Sequence, residues 1–265
     1  MLLSRISEID CPTEGRTGSG GGMPINEVRE LRDTVVLISG ATSGIGRAAA
    51  TLLVAAGARV AVTGRNHDRL EELKTELGAD NCVGVTGDIG VLDTSARLVD
   101  AAVSRFGRID SVIASAGIGA YGDFLSLSEH DIVETVTTNF TGTLWTLRAA
   151  LPHMTDGGDV IIVSSVAGVR GGANEAVYAG TKAAQLVFAG ALDREYRERG
   201  VRVTSMCPAG VNTRFAVGRG RTEGDPALED FLDPSDVGAA IVYTLTQPRR
   251  LRTTQWNMWS AAEGA

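Results

Sequence analysis

From residue 33 to residue 259, short apolar runs alternate with longer stretches in which apolar side chains recur every three to four positions. The runs VVLIS at 35–39 and VIIVS at 160–164 are almost unbroken in β-branched residues, the pattern of strands covered on both faces. Strands are expected at 35–39, 59–63, 82–86, 111–115, 159–164 and 202–207, and an apolar segment at 255–259 supplies a further edge or inner strand. Helical periodicity marks 45–56, 68–77, 93–106, 128–154, 176–199 and 234–245. Strand followed by helix, repeated along the chain, implies right-handed crossovers and an α/β fold with a doubly wound parallel sheet. About seven strands with helices on both faces use the whole of 31–265, which reads as a single domain. Residues 1–30 differ. CPTEGRTGSGGGMP is rich in Gly, Ser and Thr and lacks periodicity, so the segment reads as a flexible leader, with Met23 an alternative start.

Composition narrows the range of functions. The 265 residues carry a net charge of −7, with 43% hydrophobic and 22% charged residues, which suits one large core and argues against wholesale disorder. An acidic balance disfavours a nucleic-acid partner, because phosphate contacts need clustered Lys and Arg. No apolar run reaches the ~18 residues that span a bilayer, and MLLSRISEID has acids where a signal peptide needs an apolar centre. No membrane partner is expected, and the chain reads as cytoplasmic. Cys11, Cys82 and Cys207 are too few and too unevenly spaced for a disulfide framework or a metal knuckle, and His67, His130 and His153 stand singly. No metal site is expected.

The segment SGATSGIGRA joins the first strand to the first helix and sets Gly40, Gly44 and Gly46 on a GxxxGxG spacing. Glycine there permits a tight turn, close approach to a pyrophosphate and close packing of helix on strand, while the helix N–H groups face the phosphates. Turns collect glycines in any fold; placement between a buried strand and a helix is what points to a dinucleotide, bound by Gly40, Thr42, Ser43, Gly44, Ile45 and Gly46. The second strand ends in VAVTGRN, with Arg65 where a site that prefers NAD carries an acid for the adenosine ribose. A guanidinium without a carboxylate favours a 2′-phosphate over the alternative of a solvated loop arginine. NADP(H) is the expected cofactor.

Tyr178 and Lys182 are four apart on one predicted helix, so their side chains share a face. Thirteen residues before Tyr178 a buried strand ends in Ser164-Ser165, at the edge where doubly wound sheets bind ligands. Asn139, a poor helix former, lies inside the long helix before that strand. With these motifs the chain, from about residue 32 to residue 259, resembles the short-chain dehydrogenase/reductase family in its compact single-domain branch, a Rossmann-type fold. The resemblance matches Asn139, Ser165, Tyr178 and Lys182 to the family's catalytic tetrad, and Asp88 with Ile89 to the contacts made on the adenine ring. Ala114-Ser115-Ala116-Gly117 stands where the family has Asn-Asn-Ala-Gly. Both asparagines are missing, so the central sheet must be tied differently there, while Ala116 and Gly117 keep the close approach to the cofactor. Pro208-Ala209-Gly210-Val211-Asn212-Thr213 resembles the Pro-Gly-x-Val-x-Thr loop on the nicotinamide; Pro208, Gly210, Val211 and Thr213 match, and Ala209 replaces a glycine.

The resemblance implies an NADPH-dependent ketoreductase acting on a small, partly apolar ketone. Tyr178 would donate the proton, Ser165 would hold the carbonyl oxygen, and Lys182 would bind the nicotinamide ribose and lower the phenol's pKa. Asn139 would support a water leading from Lys182 to solvent. Two alternatives share these residues: an NADP-linked alcohol dehydrogenase working toward oxidation, and a catalytically silent NADP-binding regulator, which would have no need of Tyr178 and Ser165 together. The family's habit implies a homo-oligomer, dimer or tetramer, and the small residues of AGTKAAQLVFAGAL would allow close helix contact. Pocket walls are expected at 118–124, 166–177 and 214–232, the last a candidate lid. Its Arg214, Arg219 and Arg221 read as a solvated face in preference to an anion site. The substrate itself (a 3-oxoacyl group, a secondary-metabolite ketone or a keto-lactone) is left open.

Overall fold

The computed structural model describes residues 28–263. Most of the expected leader, with Cys11 and Met23, lies outside the described residues. Arg29, which the sequence pattern leaves in that leader, is already docked: its backbone N–H donates to the Thr246 carbonyl and its guanidinium to Asp159.

Seven strands, β1 (Val35–Ser39), β2 (Arg59–Gly64), β3 (Cys82–Thr86), β4 (Ser111–Ala114), β5 (Gly158–Val163), β6 (Val201–Pro208) and β7 (Gln255–Met258), form one parallel sheet. Their order is β3-β2-β1-β4-β5-β6-β7. Successive residues of a strand face opposite sides. Val36, Ile38 and Ile161 therefore join a core beneath α1 (Gly44–Ala55), α2 (His67–Leu77) and the late helix Pro234–Thr246. Leu37, Val160 and Ile162 join a second core beneath α3 (Leu92–Phe106) and the helices that follow β4. The fold is thus Rossmann-like, with helices on both faces. The chain moves outward from β1 to β3 and then returns to β4, so a crevice opens at the C-terminal ends of β1 and β4. No helix among the described residues is long and apolar enough to cross a membrane.

Element boundaries expected from the pattern agree within about three residues, with one correction. The helix expected over 128–154 is not continuous: α4 (Glu129–Val136) passes through a π turn, Thr137–Thr141, into α5 (Gly142–Ala150), and a short turn at Pro152 ends it. The turn coincides with Thr137, Thr138 and Thr141, whose branched side chains pack poorly on a helix, and with Asn139, whose side chain is bonded outside it. The segment at 255–259, expected as an edge or inner strand, forms β7 at the edge of the sheet. Trp256 and Met258 alternate with exposed Gln255 and Asn257 as in a half-covered edge strand, and Trp256 also donates to Thr244 Oγ1 at 3.0 Å. Two long helices complete the fold: α6 (Ala176–Tyr196), which ends by way of left-handed Gly200, and α7 (Pro234–Thr246), which starts with an Asp233–Asp236 capping box.

Candidate active site

The exit from β1 is shaped by what it excludes. Gly40 has φ +72°, and a Cβ on it would lie 2.6 Å from the Ala116 Cα; a Cβ on Gly46 would lie 2.3 Å from the Gly40 carbonyl oxygen. No side chain fits at either position. Ser43, the residue before α1, makes no side-chain cap, so the first turn of that helix keeps its N–H groups for another acceptor. A backbone cradle beside a positive helix end fits the pyrophosphate of a dinucleotide. The cleft that begins here has a volume of about 1190 Å³, and every residue expected to hold the cofactor lines it. Ser39 replaces the missing asparagines as the link across the sheet, its Oγ accepting from the Ala116 N–H at 3.4 Å.

At one end of the cleft Arg65 leaves β2. Its Nη1 donates to Glu134 Oε1 on α4 at 2.8 Å, and the other oxygen of Glu134 accepts from Arg219 Nη2 at 2.7 Å. Partial burial works against the Glu134 charge, but Arg219 and Arg65 together hold the carboxyl below its usual range. The sequence pattern shows Arg65 with no acid beside it; the fold brings one from 69 residues away. Asp88 closes its own turn, accepting from the Gly90 N–H at 2.8 Å.

At the other end β5 delivers Ser165. Its Oγ donates to the Pro208 carbonyl at 3.2 Å and accepts from the Ala167 N–H at 3.1 Å, and Tyr178 lines the same cleft. Tyr178 is buried against Tyr121 and Phe215, ring centroids 5.6 and 5.5 Å away. Burial first, then Tyr121, pushes its phenol above the ordinary value, against the opposing influence of the Ser165 hydroxyl. This differs from the expected lowering by Lys182. The Lys182 ammonium is 5.7 Å from the centre of the phenol ring, but Nζ donates to the Val163 carbonyl at 2.8 Å and to Gln185 Oε1 at 3.1 Å, and burial lowers its own pKa to about 8.

Asn139 does not line the cleft. It is fully buried one layer behind, its Oδ1 accepting from the Ile118 N–H at 2.8 Å and its Nδ2 donating to the Ile118 carbonyl and Thr181 Oγ1. Its own carbonyl accepts from Gln185 Nε2 at 2.8 Å and from Thr143 Oγ1. The Gln185 amide links Asn139 to Lys182, its Nε2 donating to the Asn139 carbonyl and its Oε1 accepting from the Lys182 ammonium.

A family model described as short chain dehydrogenase matches residues 34–224. The chain belongs to the short-chain dehydrogenase family. An uncharacterised oxidoreductase of Staphylococcus aureus is 33% identical over 227 residues, covering 85% of this chain and 96% of the relative. A serine dehydrogenase in its closed form, complexed with NADP+, superposes with a TM-score of 0.82 at 28% identity, covering 88% of this chain and 97% of that one. A 3-ketoacyl-(acyl-carrier-protein) reductase from Brucella melitensis, complexed with NADH, gives 0.80 at 25% identity, covering 88% and 99%. This short-chain dehydrogenase is accordingly an oxidoreductase with a nicotinamide dinucleotide cofactor.

Two residues of the candidate site, Gln185 and Glu134, escape a sequence reading, and Tyr121 is legible only as part of the expected pocket wall 118–124. Gln185 is one turn beyond Lys182 on the same helical face, a spacing that could have flagged it. Tyr121 and Glu134 come from segments whose pairing with Tyr178 and Arg65 is set only by packing.

Proposed function

We propose that this dehydrogenase is an NADPH-dependent reductase of small, partly apolar ketones. The observation that carries the reading is the convergence of Ser165, Tyr178 and Lys182 in one cleft that begins in a phosphate cradle. A bound reduced nicotinamide supplies a hydride to the carbonyl carbon. Ser165 Oγ donates a hydrogen bond to the carbonyl oxygen and sets it against Tyr178. The phenol proton passes to that oxygen, leaving a secondary alcohol and a phenolate, which regains its proton from solvent. A phenol is protonated at neutral pH, the form from which reduction starts, and burial favours that form further. Lys182, its Nζ 5.7 Å from the centre of the phenol ring, stabilises the phenolate as it forms.

NADPH is favoured over NADH because Arg65 and Arg69 both line the adenosine end, and an incoming 2′-phosphate competes with Glu134 for Arg65. Exposed Val133 and Val136 on α4 and Val187 on α6 support assembly into a homo-oligomer.

The test is NADPH and NADH oxidation against a ketone panel by the wild type and by Tyr178→Phe. Turnover should prefer NADPH and fall on the order of a thousandfold or more in the variant, while NADPH binding, followed by fluorescence, persists. Near-normal turnover by Tyr178→Phe would remove it as the acid.

A further inference from the structure

The three arginines of 214–232 are alike in sequence and unlike in the structure. Arg214 pairs with Glu223 at 3.3 Å in solvent. Arg219 is taken by Glu134 at 2.7 Å and Asp131 at 3.7 Å. Arg221 is half-buried and lies over the rings of Phe215 and Phe231, 5.6 and 5.3 Å from their centroids. Its Nη1 donates to the Val211 carbonyl at 3.3 Å. Among the described residues no carboxylate pairs with it, and its Nε and Nη2 have no protein acceptor. Two aromatic faces hold this cation where an acid would ordinarily do so.

Its position gives the free edge meaning. Arg221 lines the same cleft as Tyr178 and Ser165. Phe215 packs on Tyr178 with centroids 5.5 Å apart, so a single ring separates the guanidinium from the phenol. The charge is felt there: it pulls down the phenols of Tyr178 and Tyr121, each dominated by burial. The acids on these walls are engaged elsewhere. Glu175 accepts from the Gly172 N–H at 2.5 Å, and Glu263 accepts from the N–H groups of Gly210 and Ser260.

We propose that the substrate is an oxo acid whose carboxylate docks on the Nε–Nη2 edge of Arg221 while its ketone oxygen meets Tyr178 and Ser165. A planar two-donor fork bounded by aromatic faces matches the two oxygens of a planar carboxylate. The product is the corresponding hydroxy acid. The reacting end of this inference rests on the reductase reading; the anion end stands on Arg221 alone.

Acetoacetate and benzoylacetate, each compared with its ethyl ester, present one ketone with and without the charge. Saturation-transfer NMR on the NADP+-loaded protein reads their binding without turnover, and NADPH oxidation reads kcat and KM. The acids should bind, and be reduced, about 10- to 100-fold better than the esters, as two charge-assisted hydrogen bonds allow. Arg221→Gln should erase that preference through KM for the acids alone, leaving NADPH affinity and the esters unchanged, and Arg221→Lys should restore part of it. Equal binding of acid and ester overturns the proposal. So does loss of NADPH affinity in Arg221→Gln, which would assign Arg221 to the cofactor's phosphates, or tighter binding of dihydroxyacetone phosphate than of either acid. Acids that bind through Arg221 without any NADPH oxidation uphold the inference and remove the reductase reading. Reduction of the esters with no preference for the acids does the opposite.

Discussion

Lys182 is enclosed, and both acceptors of its ammonium, the Val163 carbonyl and Gln185 Oε1, are uncharged. Loss of water therefore lowers its pKa from 10.5 to about 8. Between those values the folded chain holds fewer protons than the unfolded chain, so stability rises with pH across the window and is lowest where Lys182 is charged in both states. Relative to Lys182→Met, which keeps the stem without the charge, the wild type should gain on the order of 2 kcal/mol from about pH 7.5 to about pH 9.5. Denaturant midpoints at the two pH values check this, and a constant difference would mean that the ammonium is hydrated. Tyr178, Lys182 and Ser165 were legible in the sequence because helical spacing and a strand end are local signals. Gln185 as the bridge to Asn139 was not, since it needs two helices already packed.

Among the elements, α4 carries more than its periodicity shows. The π turn Thr137–Thr141 turns Asn139 toward Ile118 and Thr181, and an uninterrupted helix over 128–154 would not present it in that way. One turn earlier Glu134 ties Arg65 to Arg219, joining the β2 end of the cleft to segment 214–232. Removing the acid should release both partners. Glu134→Gln is expected to tighten NADPH relative to NADH several-fold and to speed tryptic cleavage after Arg219, because that segment loses an anchor. Arg65→Ala should instead weaken NADPH about 10- to 100-fold with little change for NADH. Fluorescence titration of both cofactors separates the cases, and equal losses for NADPH and NADH in Arg65→Ala would sink the 2′-phosphate assignment.

Across the whole molecule, the end of the sheet opposite the cleft is closed by a buried charge. Asp159 at the start of β5 accepts from Arg202 on β6 at 2.7 Å, from Arg29 at 2.8 Å and from Arg249 at 2.9 Å, tying the first described residues and the segment before β7 to the sheet. Arg202 is buried, and its Nη1 is further spent on the carbonyls of Pro248 and Leu251. Asp159→Ala leaves that guanidinium without its counter-charge and should cost about 3–5 kcal/mol in urea unfolding. The folded fraction should still bind NADPH, because the cleft lies at the far ends of the strands. A loss below about 1 kcal/mol would show that water can replace the carboxylate.

The sequence by itself determined the strand and helix segments, the parallel doubly wound class, the glycine turn and the Ser–Tyr–Lys spacing. Each is written in neighbours no more than about a dozen residues apart, where steric preference and hydrophobic period act directly. The tertiary structure alone decided which charges are free. Arg65 and Arg221 are both loop arginines in sequence, yet packing brings Glu134 to the first, and two aromatic rings and a backbone carbonyl to the second. It also decided the state of the candidate catalytic groups: burial, which no residue carries in its own identity, strengthens the hold of Tyr178 on its proton and loosens that of Lys182.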